Sequence, residues 1–243
     1  MDSITTVLFD LDDTLWYAVP DLDFDRIEAV QHSRLTKRFD AWSLKQSGLA
    51  ASIGRLWVEL DLAERQPNPG LRELQHAAIF ASILRDQGMP LSAEQVRALW
   101  DDLYVPHPHF ERRLFVDTLQ TLERLRQKGV RLGVVTNRPW TSSVFLPDLS
   151  AVGLADYFDV VVSSADVGLR KPHPFIFETA LRALDGQPET ALMVGDSLAN
   201  DVGGAEACGM RGIWLRNSDE EGAAAPSHVS VQSISEIFDT GLF

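Results

Sequence analysis

The chain has one cysteine, Cys208, among 243 residues. It can form no internal disulfide, and lone thiols persist where the compartment is reducing, so a cytoplasmic protein is expected. Positive charge is scarce too. Lys and Arg number 22 against 35 Asp and Glu, a formal net charge of -13. Nucleic acid and anionic membranes recruit proteins through cationic surface, so neither is expected as a partner. No apolar run approaches the ~20 residues of a membrane span. The start, Met1-Asp2-Ser3-Ile4-Thr5-Thr6, lacks the basic and apolar segments of a secretory signal. No internal repeat is present, which excludes a solenoid.

What is abundant is aspartate at chosen places. Asp10-Leu11-Asp12-Asp13-Thr14-Leu15 directly follows the apolar run Val7-Leu8-Phe9. Gly195-Asp196-Ser197-Leu198-Ala199-Asn200-Asp201 directly follows Ala191-Leu192-Met193-Val194. Both clusters stand where a buried strand should end, and open α/β sheets bind ligands at the carboxyl ends of their strands. Several carboxylates gathered in one site repel each other unless a cation joins them. All-oxygen ligands favour a hard ion such as Mg²⁺. The pattern points to metal-assisted chemistry on a phosphate or a similar group.

The surrounding sequence supplies the sheet. Ile4 to Phe9 reads as a buried strand. From about Asp23 to Tyr104 the patterns are helical. Leu71, Leu74, Ala78 and Ile79 share one helical face, Gly88 and Pro90 stop that helix, and Pro67-Asn68-Pro69-Gly70 is a turn. Ser92 with Gln95 forms a capping box for a helix that buries Val96, Leu99, Trp100 and Leu103. Pro106-His107-Pro108-His109 reads as a stiff, extended linker. A regular series follows: a helix lined by Val116, Leu119, Leu122 and Leu125 and ended by Lys128-Gly129; strands at Val130–Val135, Val160–Val162, Ala191–Val194 and Ile213–Leu215; helices at Phe175–Leu184 and Asn200–Cys208. A short strand near Val229, a helix capped by Ser233 and Glu236, and a surface loop over Asn217–Ser227 complete it. This alternation predicts an α/β fold, a Rossmann-like doubly wound parallel sheet with an inserted all-helical segment. Two further strand or helix junctions carry polar groups suited to anions: Thr136-Asn137 after one strand, and Arg170-Lys171-Pro172 before the Phe175 helix.

Asp10-Leu11-Asp12-Asp13-Thr14, Val135-Thr136-Asn137, Lys171-Pro172 and Gly195-Asp196 through Asp201 resemble, in this order, the four motifs of the haloacid dehalogenase-like hydrolase superfamily. The helical stretch between the first two resembles the helical cap of its phosphatase branch. The resemblance implies an α/β core formed by residues 1–15 and 113–243, with a cap over residues 16–112 hinged near Leu15–Asp21 and Tyr104–Arg112. It implies Asp10 as nucleophile and Asp12 as general acid and base. It implies Mg²⁺ held by the Asp10 carboxylate, the Asp12 carbonyl and the Asp196 carboxylate. Thr136, the Asn137 N–H and Lys171 would hold phosphoryl oxygens, with Asp201 in support of the metal waters or of Lys171. The expected activity is hydrolysis of a small phosphorylated metabolite through an aspartyl-phosphate. A phosphomutase, a dehalogenase and a non-enzymatic receiver-like phospho-acceptor are the alternatives. Having both Asp12 and Asp196 disfavours the dehalogenase, Thr14 disfavours the mutase, and the long helical insertion has no place in a receiver.

The other polar residues near these motifs have plainer readings. Asp13 is expected to point away from the pocket, Asn200 to support its loop, and Arg138 and Arg170 to be surface arginines. His107 and His109 lack a third ligand for a metal site. His173 should serve the start of its helix, and Trp57 and Trp100 should be core. The residues name neither the substrate, which could be phosphoglycolate, a nucleotide or a sugar phosphate, nor the oligomeric state.

Overall fold

The computed structural model describes residues 3–20, 23–45, 48–216 and 228–243. The loop expected over Asn217–Ser227, and the Asp21 end of the first expected hinge, lie outside the described residues. The chain separates into two compact units, Met1–Pro20 with Arg112–Phe243, and Asp21–Glu111.

In chain order the elements are β1 (Thr6–Phe9), β2 (Trp16–Ala18), α1 (Phe24–Ala41), α2 (Leu49–Glu64), α3 (His76–Asp86) and α4 (Ala93–Asp102). Then come β3 (Arg112–Leu114), α5 (Thr118–Gln127), β4 (Arg131–Thr136), α6 (Ser142–Ala151), β5 (Val160–Ser163), α7 (Ser164–Val167) and α8 (Pro174–Ala183). Last are β6 (Ala191–Gly195), a π-helical turn over Leu198–Gly203, α9 (Gly204–Ala207), β7 (Arg211–Leu215), β8 (Val229–Val231) and a 3₁₀ segment over Ile234–Thr240.

The larger unit is built on a six-stranded sheet in the order β5-β4-β1-β6-β7-β8, every pairing parallel. Its central strands read as continuous apolar runs because helices cover both faces of such a sheet. All four residues of β1 and all five of β6 are buried. Leu8, Val135, Val162 and Met193 form one core with Ile176, Phe177, Ala180 and Leu181 of α8. After β1 the chain moves outward through β4 and β5, then returns to the other side of β1 through β6 and β7. The winding therefore reverses between β1 and β6, the switch point at which open α/β sheets bind ligands. Asp10 follows β1 and Asp196 follows β6.

The smaller unit is helical among its described residues. Leu35, Phe39, Leu56, Phe80, Ile83, Leu84 and Leu99 are fully buried in it. Ser92 and Gln95 make the expected capping box at α4. At the other end of α4, Asp102 accepts both hydrogen bonds of the Arg38 fork, at 2.6 and 3.0 Å. His76 stacks on Trp100 with ring centroids 5.0 Å apart.

Several local expectations are corrected. Leu71 and Leu74 precede α3, because Leu71 takes a positive φ of 49° after the Asn68 turn. Residues 106–109 form a turn, with His109 N–H on the Pro106 carbonyl at 2.9 Å, and not an extended linker. Val116 lies outside α5 and is fully exposed; Thr118 begins that helix, its hydroxyl donating to the Leu15 carbonyl at 3.0 Å. The Asn200–Cys208 helix opens as a π-helical turn over Leu198–Gly203, in which the fully buried Asp201 faces inward to Lys171. The Ile234 segment is 3₁₀, and Glu236 accepts from the Gln232 N–H where a cap on Ser233 was expected. The two-stranded antiparallel ribbon of β2 and β3 was not foreseen, because three-residue strands carry no readable period.

One ion pair in the larger unit is deeply placed. Arg112 Nη1 meets Asp148 Oδ2 at 2.7 Å, and both side chains are buried. Removing one partner of a buried pair leaves the other charge without compensation. Asp148→Leu is therefore expected to lower unfolding stability by about 3–5 kcal/mol, measured by urea denaturation. A change below about 0.5 kcal/mol, the size of an ordinary surface substitution, would contradict this reading.

Candidate active site

Three buried or half-buried aspartates converge beside one lysine. One carboxylate oxygen each from Asp10, Asp196 and Asp201 lie within 4.8 Å of one another. Lys171 Nζ stands 2.8 Å from Asp10 Oδ1 and 2.6 Å from Asp201 Oδ1. Lys171 is 4% exposed and Asp201 not at all.

Each residue is placed by local chemistry. Asp10 leaves β1 with its N–H on the Val194 carbonyl at 2.9 Å, so the sheet ladder continues to Asp10. Asp201 reaches back beneath Gly195. A Cβ at Gly195 would stand 2.3 Å from Asp201 Oδ2, so glycine is required there by close approach. Asp201 Oδ2 also accepts the Ser197 N–H at 2.9 Å. Ser197 caps the turn by accepting from the Asn200 N–H at 3.2 Å. Asp196 is fixed through its carbonyl, which accepts the Trp214 indole N–H at 2.8 Å. Lys171 is fixed through its backbone. Asn137 Oδ1 accepts the Lys171 N–H at 2.7 Å, and Asn137 Nδ2 donates to the Lys171 carbonyl at 3.2 Å. The amide of Asn137 thus ties the end of β4 to the lysine segment. Thr136, also buried, ends β4. His173 accepts the Phe175 N–H and opens α8, as expected.

The electrostatics follow from this crowding. Burial pushes the Asp10 carboxyl up from 3.8 to about 7; Lys171 pulls it down, while the charges of Asp201 and Asp12 add to the rise. Burial also raises Asp196, with the charges of Asp201 and Asp13 contributing. Exposed Asp13, with φ 57°, therefore acts on the site through its charge. Burial disfavours charge on Lys171, but Asp10 and Asp201 outweigh it and raise its pKa.

This donor set fits a hard divalent cation. The Asp10 Oδ1 atom is buried and has no aligned hydrogen-bond donor, since Lys171 approaches it as an ion pair off hydrogen-bond alignment. Asp201 is committed to Lys171 and Ser197, which leaves Asp10 and Asp196 as the side chains able to ligate. Three carboxylates against one ammonium leave excess negative charge, and an all-oxygen set of this kind is suited to Mg²⁺ and not to a thiophilic metal. His107 and His109 are absent from the acidic cluster found among the described residues.

Asp12 stands apart from that cluster. Arg138 grips it with a two-pronged fork, Nε to Oδ2 at 2.8 Å and Nη2 to Oδ1 at 2.5 Å. The Trp16 indole N–H donates to Asp12 Oδ1 at 2.8 Å. Burial works against a charged Asp12, but the Arg138 guanidinium, its hydrogen bonds and the Trp16 N–H outweigh it and hold the carboxyl below its usual range. This corrects the expectation for Arg138. It is no surface arginine but 8% exposed, its guanidinium over the rings of Trp16 and Phe145 at 5.3 and 5.0 Å. Its available signal was its place two residues beyond Thr136, at the same strand end. Trp16, four residues after Asp12, gave no chemical signal, since an indole reads first as core. Arg170 is half-buried.

Comparison with known proteins agrees with this geometry. The family profile described as "Hydrolase: haloacid dehalogenase-like hydrolase" matches residues 4–209. The ribulose-1,5-bisphosphate 5-phosphatase of Halopiger xanaduensis is 30% identical over 90% of this chain and 87% of its own. The phosphoserine phosphatase of Thermus thermophilus is 30% identical over 96% of this chain and 97% of its own. Among solved structures, a HAD phosphatase from Thermococcus onnurineus is 26% identical, with TM-score 0.59 over 98% of this chain and 97% of its own. A 2-haloacid dehalogenase from Pseudomonas syringae is 26% identical, with TM-score 0.61 over 97% of each chain. With the motif residues gathered at one switch point and the profile spanning most of the sequence, the chain belongs to the haloacid dehalogenase-like hydrolase family.

Proposed function

We propose that this protein is a Mg²⁺-dependent phosphomonoesterase acting on a small phosphorylated metabolite through an aspartyl-phosphate on Asp10. The observation that carries the reading is Asp10 itself, a buried carboxylate at the sheet's switch point with Lys171 at 2.8 Å and Asp196 beside it. Similarity to phosphatases that act on ribulose bisphosphate, phosphoserine and, in Vibrio vulnificus, phosphoglycolate supports the substrate class. The dehalogenase neighbour shares the fold at a similar TM-score, so fold alone does not separate the two chemistries. The side chains favour phosphoryl transfer. A dehalogenase has no need of a second acid or of a ligand pair such as Asp10 with Asp196.

The residues would divide the work as follows. An Asp10 oxygen attacks phosphorus, and the bond from phosphorus to the leaving oxygen breaks. Asp12, ionised beside Arg138, would first take up a proton, such as that of a substrate monoanion, and pass it to that oxygen. Water then attacks phosphorus, Asp12 takes the water proton, and the Asp10–phosphorus bond breaks to release inorganic phosphate. Lys171, Thr136 and the Asn137 N–H hold the phosphoryl oxygens and offset their charge. Asp201 keeps Lys171 charged and aimed. Mg²⁺ held by Asp10, Asp196 and the Asp12 carbonyl would supply the positive charge that lets a carboxylate approach a phosphate dianion. The helical unit stands in the sequence where a cap belongs and would carry substrate recognition. The single cysteine and the net charge of -13 support a cytoplasmic enzyme without nucleic-acid or membrane partners.

Two outcomes test this. Purified protein assayed on a panel of phosphorylated metabolites should release inorganic phosphate with Mg²⁺ and lose that activity in EDTA. Asp10→Asn should abolish turnover, while Asp12→Asn should lower it by about 10²–10⁴-fold. Phosphate release by Asp10→Asn at the wild-type rate would refute the reading.

The raised Asp10 pKa gives a second, non-catalytic test. Its folded value of about 7 lies above the ordinary 3.8, so in metal-free protein its stabilising contribution is full below about pH 4. It is lost as the pH rises through about 7. In EDTA, thermal stability of wild type relative to Asp10→Asn should therefore decline from pH 4 to pH 8. Binding a divalent ion displaces that proton, so calorimetric titration with Mg²⁺ at pH 6 should release about one proton from wild type and far less from Asp10→Asn. A flat stability difference with no proton release would contradict the placement of Asp10.

A further inference from the structure

We propose that Arg138 is a positioning residue for the reaction, holding the Asp12 carboxylate in the one orientation that serves proton transfer. This rests on the phosphatase reading above and goes beyond it, since none of the four motifs includes Arg138 or Trp16.

The geometry is over-determined at every point. Arg138 leaves β4 two residues after Thr136. Its carbonyl is pinned by the Ser164 hydroxyl at 3.1 Å and the Ala165 N–H at 3.2 Å, both from α7. Its guanidinium lies over Phe145 and over Trp16, so the planar group cannot turn freely. The fork then fixes the plane of the Asp12 carboxylate. Trp16 sets the remaining direction through its N–H on Asp12 Oδ1. The Trp16 carbonyl also accepts the Asp13 N–H at 2.8 Å, so backbone and side chain of the same residue hold the Asp12–Asp13 turn. The Arg112 guanidinium also lies over Trp16, 5.3 Å from the ring centroid, and is itself paired to Asp148.

Two donors fall on Asp12 Oδ1 and one on Oδ2. Oδ2 is thus the less occupied oxygen, and the fork aims it. A proton-transfer group contributes only when its atom is within hydrogen-bond reach of the reacting oxygen. A carboxylate on a free rotor would spend much of its time elsewhere. Lysine could supply the charge but neither the paired hydrogen bonds nor the planar stacking.

A purely structural ion pair would predict a different pattern, and a double-mutant cycle separates the two. Turnover of substituted phenyl phosphates differing in leaving-group basicity is measured with Mg²⁺ for wild type, Arg138→Met, Arg138→Lys, Asp12→Asn and the Asp12→Asn/Arg138→Met pair. Arg138→Met should lower kcat by about 10- to 100-fold, less than loss of a whole proton-transfer group, with KM little changed. The loss should grow with leaving-group basicity, as it does for Asp12→Asn. On the Asp12→Asn background the Met substitution should subtract little more, because its route of action is already gone. Arg138→Lys should recover only part of the loss. Multiplying losses in the double variant, a loss in KM alone, or full activity of Arg138→Lys would each overturn the proposal. If Arg138→Met does not fold, Arg138→Lys carries the same cycle. Activity of Asp10→Asn would instead refute the underlying phosphatase reading, so the two failures are distinguishable.

Discussion

The site depends on one buried ammonium. Lys171 stands between Asp10 and Asp201, within 2.8 Å of each, with almost no contact with solvent. Without it, carboxylates from the ends of β1 and β6 would meet at short range in a poorly hydrated place, where like charges repel strongly. With it, the three carboxylates keep a net negative charge without forcing the loops apart. The lysine is costly to bury alone, so its surroundings are built to hold it. Asp201 is fully enclosed to pair with it, Gly195 lacks a side chain to let Asp201 in, and the Asn137 amide grips its backbone on both sides.

A second charge balance lies next to the first and is separate from it. Asp12 is two residues from Asp10, yet it answers to Arg138 and Trp16 and not to Lys171. The result is two carboxyls pushed in opposite directions. Asp10 is raised by burial, whereas Asp12 is lowered by its guanidinium partner. Without a cation the order is the reverse of an ionised nucleophile beside a protonated acid, and a divalent ion on Asp10 would displace its proton and favour the charged form. The sheet makes the separation possible. The chain turns after Asp10, with the Leu15 N–H on the Leu11 carbonyl at 3.0 Å, so Asp12 does not continue the line of β1, and β4 and β6 flank β1 on opposite sides.

Much of the core was legible in the sequence. Apolar runs ending in Asp10, Thr136 and Asp196 gave the strands, their parallel order followed from the alternation with helices, and the four polar clusters gave most of the site. Illegibility had physical causes. The π-helical turn at Leu198–Gly203 is set by Asp201 turning inward to a lysine thirty residues away, which no local periodicity records. Leu71 and Leu74 fit a helical stripe by spacing, but a positive φ at Leu71 breaks the helix before it begins. Arg138 looked like any surface arginine because two of its partners, Asp12 and Trp16, come from the far N-terminal part of the chain. The Asn137 side chain was assigned no task, although it is the link that keeps the lysine in place.

The central claim is that acids from two strand ends share one divalent ion while Asp10 keeps an oxygen directed at phosphorus. A crystal structure of the full chain grown with Mg²⁺ and beryllium fluoride, a mimic of the acyl-phosphate, tests it most directly. The account requires beryllium bonded to an Asp10 oxygen, Lys171 on the fluorides, and Mg²⁺ about 2.0–2.1 Å from Asp10 and Asp196 oxygens. Beryllium or metal bound elsewhere, with Asp10 still turned onto Lys171, would contradict it.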